Sequence, residues 1–118
     1  MEADRSSGAA GADALPLEFP DPVVVKVDGV IADLVPGYLQ ARRAEVLTLS
    51  AAVQTSDLAA LQLAGHRLKG SGAGYGFPEI TAFGGAIEDA ASVGDMAGVV
   101  RAVRGLASYL DAVRLELP

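Results

Sequence analysis

The sequence predicts an all-α protein, an up-down-up-down four-helix bundle with a short additional N-terminal helix. Apolar residues recur at helical spacing from about residue 30 to the C-terminus. The segments between these stretches are short and contain capping residues, glycine or proline, so neighbouring helices are expected to be antiparallel. The chain has 118 residues, of which 51% are hydrophobic, and this suits a single domain with one core.

The first 28 residues differ from the rest of the chain. Residues 1–20 are rich in Ala, Gly, Ser and Asp and lack periodicity, so we expect a disordered tail. Residues 21–28 contain Pro22 and a run of valines, which favour extended backbone. Because no second strand is evident, this segment is predicted to be a strap lying on the helices of a domain that spans residues 21–118.

Proline and a polar cluster mark the boundaries of the first three predicted helices. A short helix is expected over residues 30–35, and Pro36 either interrupts it or opens the next helix at its first turn. The second helix is predicted over residues 37–53. Thr55-Ser56-Asp57 is a capping cluster, and the third helix runs from there to about residue 74.

Glycines separate the remaining helices. Gly74-Tyr75-Gly76 is expected to end the third helix with a left-handed cap, and Pro78 opens the fourth. Gly94-Asp95 closes the fourth helix and caps the fifth. The fifth helix carries a regular apolar stripe from Met96 to Val113.

Composition excludes several classes of function. The net charge of −6 and the pI of about 4.5 argue against binding to nucleic acid. The chain has no cysteine, which excludes disulfides, thiolate metal sites and cysteine nucleophiles. The N-terminus is not typical of a signal peptide, and no apolar run is long enough to span a membrane. We therefore expect a cytoplasmic monomer that needs no membrane.

His66, the only histidine, lies on the third predicted helix. At about 100° per residue, the apolar stripe of that helix points away from His66, which is therefore expected to be exposed. A neutral imidazole has a lone pair that can attack phosphorus. The residues of the apolar stripe are Leu58, Leu61, Gly65, Leu68, Gly72 and Tyr75.

The neighbours of His66 on the helix surface suit a phosphoryl group. Gly70, four residues on, removes a side chain that would shield the ring, although glycine within a helix costs about 1 kcal/mol. Lys69, three residues on, can stabilise phosphoryl oxygens, or it can be an ordinary solvated lysine. No acidic residue occurs between Asp57 and Glu79, which leaves the surface neutral to positive.

The segment His66-Arg67-Leu68-Lys69-Gly70-Ser71-Gly72, followed by Gly76, resembles the signature of histidine-containing phosphotransfer (HPt) domains. The resemblance covers about residues 30–115. It implies that His66 accepts a phosphoryl group on its outer ring nitrogen and passes it on in a two-component phosphorelay. Lys69 then assists electrostatically and Gly70 gives access. Ser71 either holds the helix or orients the imidazole.

The resemblance also implies partners and the absence of a cofactor. The expected partners are receiver domains of response regulators or a hybrid histidine kinase, and Mg²⁺ belongs to the receiver. This chain lacks an ATP-binding loop, so it is expected to be a phosphoryl carrier and not a kinase. The residues expected to contact a partner are Gln62, Leu63, Arg67, Ser71, Ala73, Arg42 and Arg43. Arg42 and Arg43 are equally compatible with a solvated helix surface.

An alternative hypothesis is a non-catalytic helical binding module that docks a receiver or another signalling partner, with His66 as a contact residue only. The small residues Ala59, Gly70 and Ala73 motivate it. Glu88 and Asp89 are interpreted as a solvated face. The alternating glycines from Gly70 to Gly76 lie within or at the end of a helix, so they are not interpreted as a phosphate cradle.

Overall fold

The computed structural model describes residues 15–118, in which four α-helices pack in a ring. Each helix packs against the next along the chain, and the last helix packs against the first. The predicted all-α bundle is therefore confirmed. No helix in residues 15–118 combines the length and the hydropathy needed to cross a membrane. The helices are α1 (Val35–Gln54), α2 (Leu58–Ser71), α3 (Pro78–Ser92) and α4 (Met96–Ala112).

Aspartates and prolines begin the helices much as the sequence predicts. The Asp57 carboxylate accepts a hydrogen bond from the Ala60 amide at the start of α2, and Asp95 accepts one from the Gly98 amide at the start of α4. These bonds satisfy amides that have no partner within the helix. Pro36 and Pro78 lie in the first turns of α1 and α3, so Pro36 opens a helix and does not interrupt one.

The connection from α2 to α3 differs in detail from the prediction. The predicted helix to residue 74 ends at Ser71, and a 3₁₀ helix follows at Ala73–Tyr75. The Thr81 hydroxyl donates to the Lys69 carbonyl at 3.1 Å and accepts from the Ala73 amide at 2.8 Å, and so provides partners for backbone groups at this helix end. Gly76 has φ of 96°, which confirms the predicted left-handed cap.

The short N-terminal helix predicted for residues 30–35 is wrong. The structure contains one 3₁₀ turn there, Gly29–Ile31, which begins where the Asp28 carboxylate accepts from the Val30 amide at 2.9 Å. Val30 is 90% exposed, and Ile31 is only partly buried. Nucleation of an α-helix costs free energy, and the partial burial of one apolar side chain in a three-residue turn is too small to offset that cost.

The segment predicted as a strap without a partner strand at residues 21–28 is a paired strand, and its Val23 and Val25 side chains also pack against the core. β1 (Val23–Lys26) pairs in parallel with β2 (Val113–Glu116), and Val23 lies opposite Val113. The fifth predicted helix therefore ends at Ala112, one residue earlier than expected. Val113-Arg114-Leu115-Glu116 alternates apolar and polar residues, a pattern that suits a strand with one face on the core.

Residues 15–20 do not behave as the expected tail. Leu15 and Phe19 pack against the core, and the Phe19 ring meets the rings of Phe83 and Tyr109 edge to face, with centroids 6.0 and 5.2 Å apart. Because Leu15 and Phe19 are large and apolar, they make packing contacts with the core that small polar residues cannot make. The rest of the predicted tail lies outside the described residues.

The α2–α3 contact is the most extensive in the bundle, and glycines make it unusually close. A Cβ added at Gly84 would lie 2.5 Å from the Lys69 amide nitrogen and 2.6 Å from the Leu68 Cβ. A Cβ at Gly65 would lie 2.6 Å from the Glu88 amide nitrogen, and one at Gly72 would lie 2.6 Å from the Thr81 amide nitrogen. Backbone therefore meets backbone along this interface.

We predict opposite stability effects for two glycine-to-alanine substitutions within helices. Gly84→Ala should destabilise the fold by about 1–3 kcal/mol, because the methyl group overpacks the interface. Gly70→Ala is the matched control, since a Cβ there meets nothing within 4 Å. It should stabilise the fold by about 1 kcal/mol through helix propensity. Urea unfolding of both variants measures the difference, and equal free energies of unfolding would contradict the packing described.

Candidate functional site

His66 projects from the middle of α2 with 66% of its side chain exposed. The prediction that the ring is accessible is confirmed. Beside it lies a shallow groove formed by Ala59, Gln62, Leu63 and Glu88. The groove is open to solvent, so a large group can approach the imidazole from this side.

Glu88 on α3 bridges the two polar residues of the α2 motif. One carboxylate oxygen, Oε2, lies 2.9 Å from the His66 Nδ1, and the other, Oε1, lies 2.8 Å from the Lys69 Nζ. The Glu88 side chain is only 18% exposed, whereas that of Lys69 is 48% exposed. His66, Glu88 and Lys69 therefore form a connected group, here called the carboxylate bridge.

Two glycines of α3 allow the carboxylate bridge to form. Gly84 lets α3 approach α2 closely enough for Glu88, one turn later, to reach across to His66. At Gly85, an added Cβ would lie 3.4 Å from the Lys69 Cδ, so the aliphatic part of Lys69 passes over this position. Because Gly84 and Gly85 have no side chains, they determine both the distance between α2 and α3 and the path of the Lys69 side chain.

Within the carboxylate bridge, ion pairing favours the charged forms of Glu88 and Lys69. The hydrogen bond from Lys69 is the main reason that the pKa of Glu88 lies below its usual value, and His66 lowers it further. The hydrogen bond to Glu88, together with its negative charge, raises the pKa of Lys69. Glu88 is therefore a carboxylate at neutral pH, and Lys69 is an ammonium ion.

The ionised carboxylate determines which nitrogen of His66 carries the proton. A carboxylate only accepts hydrogen bonds, so the Nδ1 of His66 must donate to Glu88. In the neutral ring, the lone pair then resides on Nε2, the nitrogen farther from the backbone. The arrangement presents Nε2 as the nucleophilic atom of an exposed ring.

The space around Gly70 is open, as the sequence predicts. A Cβ built there meets nothing within 4 Å, although the residue lies in the last turn of α2. The fold therefore does not require glycine at this position, in contrast to Gly65 and Gly84. A requirement that does not concern the stability of the fold, such as access to His66, is consistent with this difference.

The other residues of α2 that were predicted to contact a partner fall into two groups. Gln62, Leu63 and Arg67 are exposed, and the first two line the groove beside His66. Ser71 instead hydrogen-bonds the Tyr38 hydroxyl at 2.7 Å and so links α2 to α1. Ala73 lies in the 3₁₀ helix that follows α2, so it is not part of the helix surface that carries His66.

Arg42 and Arg43 make intramolecular contacts in the bundle. Arg42 pairs with Glu45 at 2.9 Å, and its guanidinium lies 4.8 Å from the centroid of the Tyr38 ring. Arg43 donates to the carbonyls of Leu110 and Val113 at the end of α4, where a cation is favourable. These contacts explain both arginines without a partner.

The comparison with known families agrees with this geometry. The family model of the Hpt domain matches residues 33–116, which is most of the chain. The chain belongs to the Hpt domain family. Membership indicates a histidine phosphotransfer role in phosphorelays, in which Hpt domains are phosphocarrier modules that work with receiver domains and histidine kinases. No curated protein and no solved structure matches the chain.

The sequence interpretation missed Glu88, which it placed on a solvated face. The adjacent Gly84 and Gly85 were the available signal, because glycine in a helix interior lowers helix stability and often marks a close approach. Their partner helix could not be identified from one sequence. Within residues 15–118, no three His, Cys, Asp or Glu side chains are grouped closely enough to hold a metal ion.

We predict that Lys69→Ala raises the pKa of Glu88 towards its ordinary value of 4.5, because it removes the main hydrogen bond to the carboxylate. Carboxyl ¹³C NMR measures the titration, and Lys26→Ala is the matched control on β1. Since pairing lowers the pKa in the folded state, the pair stabilises the protein above pH 4.5. That contribution is lost as the pH falls through the folded-state pKa. An unchanged Glu88 titration in Lys69→Ala would contradict the bridge.

Proposed function

We propose that this chain carries a phosphoryl group on the Nε2 of His66, which it accepts from one receiver domain or a hybrid histidine kinase and donates to another receiver. The observation that carries the proposal is the carboxylate bridge. The Nδ1 of an exposed imidazole donates to Glu88 at 2.9 Å, which leaves the lone pair on the outer nitrogen. Membership of the Hpt domain family supports the same chemistry.

The reaction needs little movement within this chain. The lone pair on Nε2 attacks phosphorus in an acyl phosphate of the donor, and the P–O bond breaks with its electrons on the donor carboxylate. The Nδ1 proton stays on the ring and faces the Glu88 carboxylate, which stabilises the positive charge that develops. Transfer to the next aspartate reverses these steps.

The partner provides the remaining components. Mg²⁺ held by acidic residues of a receiver binds the phosphoryl oxygens, so this chain is proposed to need no cofactor. The groove formed by Gln62, Leu63 and Ala59 lies beside His66 and is the proposed contact surface, together with exposed Arg67. The positive charge of Arg67 complements an acidic receiver pocket.

We predict that a ³²P-labelled receiver domain transfers acid-labile label to the wild-type protein and not to His66→Gln. His66 is the only histidine, so one substitution removes every imidazole nucleophile. Equal label on both proteins, or no label on either from a panel of receivers, contradicts the proposal. Binding of receivers without any transfer would favour the alternative, a docking module without phosphoryl chemistry.

We predict that Gly70→Gln reduces the transfer rate by at least about tenfold while the protein remains folded. A side chain four residues after His66 shields the ring, whereas the fold has open space at this position. Gly37→Gln is the matched control, because it adds the same side chain at an equally open glycine in the first turn of α1. Circular dichroism checks the fold of both variants. Unchanged transfer in Gly70→Gln would contradict the steric role.

A further inference from the structure

Lys69 is engaged by Glu88 before any phosphoryl group is present. Its Nζ lies 2.8 Å from one carboxylate oxygen, and its stem lies over Gly85, so its only ion pair in residues 15–118 points across to α3. The same lysine follows His66 by three residues and so lies on the adjacent helix surface, whereas Arg67, the next residue, does not share that face. A phosphoryl group on His66 therefore has to attract a lysine that already has an anionic partner.

We propose that phosphorylation of His66 moves Lys69 from the Glu88 carboxylate to the phosphoryl oxygens, so that Glu88 competes with the phosphoryl group for this lysine. The proposal deepens the proposed function and rests on it. When the imidazole is in the neutral form that can attack phosphorus, one cation, Lys69, pairs with one anion, Glu88. Each charge of the bridge is matched.

Phosphoryl transfer changes this balance in a defined way. When Nε2 forms the N–P bond, the bond between phosphorus and the donor carboxylate oxygen breaks with its electrons on the donor. Nδ1 keeps its proton, so the ring becomes a cation that still faces Glu88 at 2.9 Å. The site then contains two anions, the carboxylate and the phosphoryl group, and two cations, the ring and Lys69.

The charges pair best when each anion has its own cation. The imidazolium is held beside Glu88 by its existing hydrogen bond, whereas Lys69 has a long flexible stem and is 48% exposed. The phosphoryl group also carries more negative charge than a carboxylate, so it attracts the ammonium more strongly. Lys69 is therefore the cation that moves, and Glu88 loses its lysine as the ring becomes charged.

Competition by Glu88 has a functional consequence. When Lys69 moves to the phosphoryl group, its favourable interaction with Glu88 is lost. This loss reduces the net stabilisation that Lys69 gives to the phosphorylated state. Glu88 thus limits how strongly the site retains the phosphoryl group, which suits a carrier that must also donate. Glu88 stabilises the imidazolium at the same time, so it acts on both forms of the site.

The experiment uses the two lysines of the chain, Lys26 and Lys69. The protein is labelled with ¹⁵N-lysine and phosphorylated on His66 with phosphoramidate, a small phosphoryl donor that needs no receiver. The side-chain ammonium resonance of Lys69 should shift on phosphorylation, whereas that of Lys26, exposed on β1, should not. A Lys69 resonance that is unchanged in the phosphorylated protein would overturn the exchange.

A double-mutant cycle tests the competition independently. Lys69→Ala should shift the phosphorylation equilibrium towards the unphosphorylated protein more in the Glu88→Gln background than in the wild type. In the Glu88→Gln background, Lys69 loses no carboxylate partner when it binds the phosphoryl group. The extra effect should be about two- to fivefold, the change in equilibrium that an exposed ion pair produces. Equal effects of Lys69→Ala in both backgrounds would also overturn the proposal.

The possible outcomes separate this inference from the proposed function. If phosphoramidate labels His66 but no receiver does, the relay role fails while the lysine exchange is still measured. If receivers transfer label but the resonance and the cycle show no exchange, the relay role stands and the exchange fails. If phosphoramidate does not label His66, the accessible Nε2 on which both depend is contradicted.

Discussion

The close backbone contact between α2 and α3 determines the geometry of the site. At Gly65 and Gly84, an added Cβ would lie within 2.7 Å of backbone atoms of the other helix, so neither position tolerates a side chain at this separation. The contact brings the Glu88 side chain within hydrogen-bond distance of His66. If the helices were separated by ordinary side chains, the carboxylate would be too far from the ring to fix its proton.

The members of the carboxylate bridge act on one another. Lys69 lowers the pKa of Glu88 below its ordinary value, and the ionised Glu88 accepts the Nδ1–H of His66. Two members of the bridge lie on α2 and one lies on α3, and the His66 and Lys69 side chains are largely exposed, so the bridge can rearrange when charge arrives at the ring. A fully buried bridge would be costly to rearrange, because its charges would lose their only partners.

Much of the bundle could be predicted because its helices carry local signals. The aspartate caps, the opening prolines and the left-handed Gly76 are visible in single stretches of sequence and are confirmed. The pairing of β1 with β2 joins the two ends of the described chain, and no local pattern in the valines of β1 indicates such a distant partner. The packing of Phe19 on Phe83 and Tyr109 is a long-range contact of the same kind.

The site, like the bundle, was predictable where its residues lie close together in the sequence. His66, Lys69 and Gly70 lie within one turn of α2, so helical spacing alone places them together. Glu88 comes from α3, 22 residues later, and its position depends on which glycines face each other across the interface. Arg43 shows the same limit, because its exposed position on α1 gives no sign of its hydrogen bonds to the Leu110 carbonyl at the end of α4.

The protonation of the His66 ring tests the central claim, that the α2–α3 contact leaves the outer nitrogen free. Imidazole ¹⁵N NMR of the unphosphorylated protein, at a pH where the ring is neutral, distinguishes the two tautomers. We expect the proton on Nδ1 in the wild type and a mixture of tautomers in Glu88→Ala, which lacks the acceptor. A wild-type ring protonated mainly on Nε2 would contradict the account.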